Sequence, residues 1–113
     1  MEIIHGAIVM IAGPGDDGPD ALPGRAGVVV QADLFNAAHS TVTLCPLTNV
    51  VGGEALFRVA ISPQEHTGLT VECEVQVDRI TSVQRHRIVT VIGHASATRM
   101  EQIDQALRRW LTL

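Results

Sequence analysis

Hydrophobic and polar residues alternate along part of the second half of the chain. Between Val71 and Asp78 every odd position holds valine or cysteine, and every even position holds glutamate, glutamine or aspartate. Side chains of a β-strand alternate between the two faces of a sheet, so this stretch predicts a half-buried strand over 70–80. Similar short runs predict five more strands, over residues 2–13, 26–32, 41–47, 56–61 and 87–93. Pro46 is expected to end or bulge the third of these five.

The period of the pattern changes near the C-terminus. From Met100 to Trp110 the apolar residues are spaced by three, four and three positions, which is one face of a helix. Thr98 followed by Glu101 fits a capping box, so we expect the helix to begin there. Trp110 is expected to fill the core or a dimer interface.

Two glycine-rich segments interrupt the strands. Residues 13–24 contain four glycines, three prolines and three aspartates, which excludes regular structure, and 48–55 form a second loop. Short antiparallel strands followed by one helix are typical of a small barrel or strongly curled sheet. We therefore predict a mainly β (α+β) fold with a C-terminal helix, in a single domain over 1–113.

Charge is unevenly distributed along the chain. The 113 residues carry a formal net charge of −4, with two arginines against ten acidic residues over 1–78 and six arginines against two over 79–113. Between Arg79 and His94 there are three arginines, two histidines and no acid. This segment is a candidate surface for a polyanion, although an ordinary solvated surface has the same composition.

Cysteine and histidine spacing gives no metal or cofactor signature. Cys45 and Cys73 lie in apolar segments, so we expect two reduced, buried thiols; a disulfide requires that their strands be neighbours. The apolar run at 2–13 has no positive flank and is too short to span a bilayer. These features predict a cytoplasmic protein without a metal ion, a cofactor or a membrane partner.

Polar residues at strand–loop junctions are the remaining candidates for chemistry. Arg25 ends the first loop, with Asp20 five residues before it; Thr48 ends a strand; Asp78 and Arg79 follow the alternating one. Together they have the chemistry of an acid–base site for an anionic substrate, since a guanidinium pairs two phosphoryl oxygens and a carboxylate accepts a proton. Individually each has a structural explanation, such as a turn or an Asp78–Arg79 surface ion pair.

The C-terminal part of the chain, TGLTVECEVQVDRITSVQRHRIVTVIGHASATRMEQIDQALRRWLTL, resembles the MazF/PemK toxin family. GRAGVVV at 24–30, FN at 35–36 and CPLT at 45–48 resemble further elements of that family, in the same order. The resemblance implies a small SH3-like antiparallel barrel and a homodimer. It also implies a metal-independent endoribonuclease that cleaves single-stranded mRNA at short motifs, and a MazE-like antitoxin as partner. In that reaction the ribose 2′-hydroxyl attacks the adjacent phosphate, leaving a 2′,3′-cyclic phosphate and a 5′-hydroxyl.

The same resemblance implies roles for individual residues. Arg25 would bind the phosphate and stabilise or protonate the leaving oxygen, and Thr48 would contact the scissile phosphate. Asp20 would act as the base, and Asp78 matches an acidic position that some members use. The implied RNA-binding residues are Arg79, Thr81, Arg85 and Arg87.

Two other interpretations stay open. Ala7, Ala26 and Thr81 replace the family's usual acidic residue, proline and arginine, as a catalytically degenerate member would. The second alternative is a CcdB-like toxin, which shares this barrel and inhibits DNA gyrase through its C-terminal helix. The CPLT and VDRITSV elements favour the nuclease.

Overall fold

A computed structural model describes residues 2–12, 26–52 and 56–113. These residues form seven strands and two α-helices, which are joined by turns and short 3₁₀ segments. The strands are β1 (Ala7–Ile11), β2 (Ala26–Val29), β3 (Thr41–Thr48), β4 (Arg58–Ile61), β5 (Cys73–Gln76), β6 (Thr81–Gln84) and β7 (Ile88–His94), and the helices are α1 (Asp33–Asn36) and α2 (Ala97–Leu111). The predicted mainly β fold with a C-terminal helix is confirmed.

The described strands form one antiparallel sheet in the order β4-β5-β3-β2-β1-β7, with β6 also pairing with β3. One side of β3 meets β2, and its other side meets β6 along Thr41–Leu44 and β5 at Leu47 and Thr48. Pro46 therefore lies between the two pairings on that side, where a missing N–H interrupts neither ladder. The strand continues through Pro46, so the expectation that it would end or bulge there is wrong.

The alternating stretch is shorter than predicted. Its strand covers only Cys73–Gln76, because Val71 is 42% exposed and the chain enters a 3₁₀ turn at Val77–Arg79. That turn moves the chain along β3, and β6 then pairs with the other half of the same strand. The sequence did not predict β6, because its four residues are mostly exposed and so show no alternation of buried and exposed positions.

The C-terminal helix has its N-cap two residues before the predicted one. Ser96 is the N-cap, and its side chain accepts a hydrogen bond from the Arg99 backbone N–H at 3.2 Å, so the Thr98–Glu101 box is wrong. Trp110 is 45% exposed and packs edge-to-face on Phe57, with ring centroids 5.1 Å apart, so it does not fill the described core.

Two hydrophobic clusters bury opposite faces of the central strands. In β1, Ile8 points into a cluster that includes Ile103 of α2, whereas Val9 points into a second cluster with Ile3 and Ile88. Burial on both faces explains why the central strands are nearly continuous apolar runs.

The segments TGL at 67–69 and IG at 92–93 of the C-terminal stretch meet in space. Gly68 has a φ of +77°, and a Cβ there would collide with the carbonyl of Ile92, while one at Gly93 would collide with Thr67. Both positions thus require glycine so that the 66–68 turn can pack backbone to backbone on β7.

Cys45 and Cys73 are both buried and free, which confirms the prediction of reduced thiols. None of the described helices has the length and apolarity needed to cross a membrane.

Candidate active site

Three strand ends lie side by side at one end of the sheet. β3 ends at Thr48 and β2 begins beside it, since Gly27 pairs with Pro46. β1 ends next to the start of β2. We call this end of the sheet the Thr48 end, and the opposite end of β3, which follows Ser40, the Ser40 end.

The glycine-rich loop leaves from and returns to the Thr48 end. Ala12 precedes it, and Ala26, which is joined to Arg25 by a peptide bond, begins β2 and is 1% exposed. Two predicted site residues, Asp20 and Arg25, lie outside the described residues.

The hydroxyl of Thr48 makes one hydrogen bond within the described residues. Its Oγ1 accepts a hydrogen bond from the Val50 backbone N–H at 3.1 Å, which orients the side chain at the start of the 48–52 turn. A hydroxyl has one donor and two acceptor lone pairs, so the Thr48 proton, which has no acceptor among the described residues, can donate to an oxygen of a ligand. Thr48 is half-buried, which suits a group that positions a ligand at the protein surface.

Glu74 lies directly opposite Thr48 on β5, and sequence reasoning did not single it out. Its Oε2 accepts a hydrogen bond from the Gly52 backbone N–H at 3.0 Å. Paired residues of antiparallel strands project from the same face, with Cβ atoms about 5 Å apart. The alternation of hydrophobic and polar residues along β5 predicts that Glu74 lies on the polar face of the strand. Its position beside Thr48 follows only from the register in which β5 pairs with β3.

Asp78 has a different partner from the one the sequence suggested. Its Oδ1 lies 3.7 Å from Nε of Arg58, and the two side chains are 25% and 17% exposed. Both atoms are buried, and neither has a hydrogen bond to a described residue, so the pairing is electrostatic. Burial, followed by the nearby negative charge of Asp78, raises the pKa of Cys45 to about 12. Arg79 is exposed and forms no ion pair with any described residue.

The remaining predicted RNA-binding residues spread along β3. Thr81 pairs with Leu44, about 13 Å along β3 from Thr48. Arg85 lies at the Ser40 end, about 26 Å from Thr48 along the strand, where its backbone N–H binds Ser40 and its Nε donates to the carbonyl of His39 at 3.1 Å.

Arg87 lies two residues from Arg85 and contacts Ala12, directly after β1. Its Nε donates to the carbonyl of Ala12 at 2.8 Å, and its own carbonyl accepts from the Ala12 N–H. Arg87 therefore holds the last described residue before the glycine-rich loop, whereas Arg85 holds His39.

A network of hydrogen bonds among Asn36, Gln31 and Asp33, here called the closed network, occupies the Ser40 end, where Nη2 of Arg85 is buried without a hydrogen bond to a described residue. Asn36 is 2% exposed, and its Nδ2 donates to Gln31 and to Asp33. A hydrogen bond from the His5 backbone N–H, followed by the one from Asn36, lowers the pKa of Asp33. These polar atoms satisfy one another, which favours a structural role over ligand binding.

Within residues 2–12, 26–52 and 56–113, no group of three histidine, cysteine, aspartate or glutamate side chains is placed to hold an ion.

Comparison with known proteins agrees with this geometry. Residues 5–111 match the family described as PemK-like, MazF-like toxin of type II toxin–antitoxin systems. The chain is 34% identical to endoribonuclease MazF9 of Mycobacterium tuberculosis over 101 residues, which cover 85% of each chain. It is 32% identical to a probable endoribonuclease MazF of Mycolicibacterium smegmatis, covering 74% of this chain and 75% of that relative. A MazE–MazF structure from Deinococcus radiodurans has the same fold, with a TM-score of 0.79 at 20% identity, covering 100% of this chain and 99% of that one.

Proposed function

Because the chain belongs to the PemK-like, MazF-like toxin family of type II toxin–antitoxin systems, we propose that it is an endoribonuclease that cleaves single-stranded mRNA at short motifs. The observation that carries this proposal is the family match over 5–111, in a chain whose Thr48 lies at the edge where the loop carrying Arg25 is anchored. The gyrase-inhibitor alternative is not favoured, since the two similar relatives are named as endoribonucleases.

The proposed reaction needs no metal ion. The ribose 2′-oxygen attacks its own 3′-phosphate while Asp20 accepts the 2′-hydroxyl proton. The bond from phosphorus to the 5′-oxygen breaks, and Arg25 stabilises or protonates that leaving oxygen. The products are a 2′,3′-cyclic phosphate and a 5′-hydroxyl.

Two described residues complete the proposed site. The free proton of the Thr48 hydroxyl donates to a non-bridging oxygen of the scissile phosphate, because Val50 already occupies an acceptor lone pair. Asp78 contributes an acidic group, and Arg58 offsets part of its charge.

RNA binding would rest mainly on charge. Arg79, Thr81, Arg85 and Arg87 are the proposed contacts, and aromatic residues make up only 3% of the chain, so few bases find a stacking partner. We further propose that the protein acts in the cytoplasm as a homodimer and is inhibited by a MazE-like antitoxin. The free cysteines suit a reducing compartment.

RNA end mapping tests the proposed function. The purified protein is incubated with single-stranded RNA in excess chelator, and we expect cuts at a recurrent short motif that leave 5′-hydroxyl and 2′,3′-cyclic phosphate ends. Arg25→Ala should slow cleavage about 100-fold, as removal of a charge-stabilising donor does in other enzymes.

Arg108→Ala, on the exposed surface of α2, is the matched control and should cut at the wild-type rate. Cleavage that requires a divalent ion, or that leaves 5′-phosphates, would contradict the proposed reaction. Full activity of Arg25→Ala would remove Arg25 from it.

A further inference from the structure

The turn that follows Thr48, residues 48–52, is tied to β5 through the side chain of Glu74. Oε2 of Glu74 accepts a hydrogen bond from the Gly52 backbone N–H at 3.0 Å, across 22 positions of sequence. The bond from the Val50 N–H to Thr48 Oγ1, 3.1 Å long, spans two positions and lies inside the turn. Glu74 therefore links the far end of the turn to the sheet, while Thr48 closes its near end.

Apolar packing does little to hold the tip of this turn. Val50 and Val51 are 74% and 57% exposed, so their side chains lie outside the described core. Gly52 has a φ of +96°, and a Cβ added there would meet no described atom within 4 Å. This glycine therefore supplies a left-handed conformation and not a close contact. With so little apolar burial, the position of the turn depends on its hydrogen bonds.

Glu74 itself projects from a firmly held strand. It pairs with Thr48 of β3 on one side and with Ala60 of β4 on the other. Its neighbours Cys73 and Val75 are 1% and 0% exposed, so the opposite face of the strand is buried. The carboxylate thus has a fixed origin, on the same face as Thr48 and with Cβ atoms about 5 Å apart.

The charge of Glu74 opposes phosphate binding at this place. A carboxylate beside a group that contacts the scissile phosphate repels that phosphate. A negative side chain here lowers the affinity for RNA, so its contribution to the site has to come from the hydrogen bond that it makes to the turn.

We infer that Glu74 is a positioning residue for the proposed cleavage reaction. Its carboxylate holds the Gly52 N–H, which keeps the Val50 N–H on Thr48 Oγ1 and leaves the Thr48 proton directed at the phosphate. Glu74 acts through Thr48 in this role and accepts no proton from the substrate. The inference rests on the proposed ribonuclease function.

Cleavage kinetics of a defined RNA by the full chain test the inference. Glu74→Ala removes the acceptor, so kcat should fall by up to about 100-fold, the cost of misplacing a reacting group by about 1 Å. Glu74→Gln keeps an acceptor oxygen for Gly52 and removes the charge, so it should recover most of kcat and lower KM. The difference in KM from wild type should shrink as salt is raised, because salt screens the repulsion.

Two controls separate positioning from a general loss of charge or structure. Glu72→Ala removes the same charge from an exposed position two residues away, and should keep kcat within about twofold of wild type. In a Thr48→Val background, Glu74→Ala should lower kcat by less than about twofold more, because its effect passes through the Thr48 hydroxyl. Circular dichroism checks that each variant is folded.

A measurement without RNA tests the turn directly. In NMR spectra of the full chain, Glu74→Ala should shift the Gly52 amide proton upfield and increase fast motion at the Val50 amide. Glu74→Gln should largely keep both signals. If the wild type does not cleave RNA, the proposed function fails, and these signals still decide whether Glu74 holds the turn.

Equal loss of kcat in Glu74→Gln and Glu74→Ala would overturn the inference and would make Glu74 the proton acceptor instead. A full effect of Glu74→Ala on top of Thr48→Val would also overturn it, since Glu74 would then act independently of Thr48. So would unchanged Gly52 and Val50 amide signals in Glu74→Ala, or an equal loss of kcat in Glu72→Ala.

Discussion

The two ends of β3 carry similar polar residues but differ in what those residues contact. At the Ser40 end, Asn36, Gln31 and Asp33 hydrogen-bond to one another. At the Thr48 end, Thr48 keeps an available proton and stands beside Glu74 and the anchors of the glycine-rich loop. Charge alone therefore does not identify a site; the relevant property is whether the polar atoms are already satisfied by the protein.

Removing the Thr48 hydroxyl should cause the largest difference in RNA cleavage between variants at the two ends of β3. We expect Thr48→Val to slow RNA cleavage about 100-fold, because a donor aimed at the phosphate is lost while the side-chain volume is kept. Single-turnover cleavage of a defined RNA measures this. Thr48→Ser, which restores the hydroxyl, should recover most of the rate.

Thr43→Val is the control on the same strand. Its hydroxyl contacts Ser82 at 2.9 Å, on the half of β3 nearer the Ser40 end. This variant should cleave within twofold of wild type. If both valine variants lose activity equally, the difference between the two ends has no catalytic meaning.

Much of the fold could be predicted because the local signals agree with the tertiary structure. The clusters of valine and isoleucine mark strands that are buried on both faces, and the helical period from Met100 matches α2. The predictions are wrong where tertiary contacts determine where an element begins or whether it forms. Ser96 caps α2 because the turn from β7 ends there, and β6 exists because β3 offers a second edge.

The candidate site was less predictable for a related reason. Thr48 was found from a short motif, whereas Glu74 becomes relevant only through the register of β5 on β3. The Arg58–Asp78 pair joins residues twenty positions apart, so sequence favoured the adjacent Arg79 instead. Arg85 and Arg87 look equivalent in sequence, but in the fold Arg85 Nε holds the carbonyl of His39 and Arg87 Nε holds that of Ala12.

The two arginines are expected to differ by a smaller amount. We expect Arg87→Gln to weaken RNA binding about fivefold and to reduce the dependence of log affinity on log salt by about 0.7, as loss of one phosphate contact does for single strands. Arg85→Gln should weaken RNA binding less than Arg87→Gln does and should also lower thermal stability, since its Nη2 is buried and its Nε holds the carbonyl of His39. Filter binding at several salt concentrations, using RNA with a 2′-deoxy cleavage site, measures both. The reverse order of effects would make Arg85, and not Arg87, the stronger RNA contact.

The smallest expected effect concerns acid stability at the Ser40 end. The backbone hydrogen bond from His5 and the side-chain bond from Asn36 hold the pKa of Asp33 below its ordinary value of 3.8. A depressed carboxyl pKa stabilises the folded state above the unfolded value, and that contribution is lost as the pH falls below 3.8 through the lower folded pKa. Asp33→Asn should therefore lower the urea midpoint near neutral pH, and the gap to wild type should close in acid.

Asp104→Asn, which removes the same charge from the exposed side of α2, should show no such closing gap. Because Asp33 contacts only the closed network, RNA cleavage by Asp33→Asn near neutral pH should equal that of wild type; a loss of activity there would mean that the Ser40 end is coupled to catalysis and not only to folding.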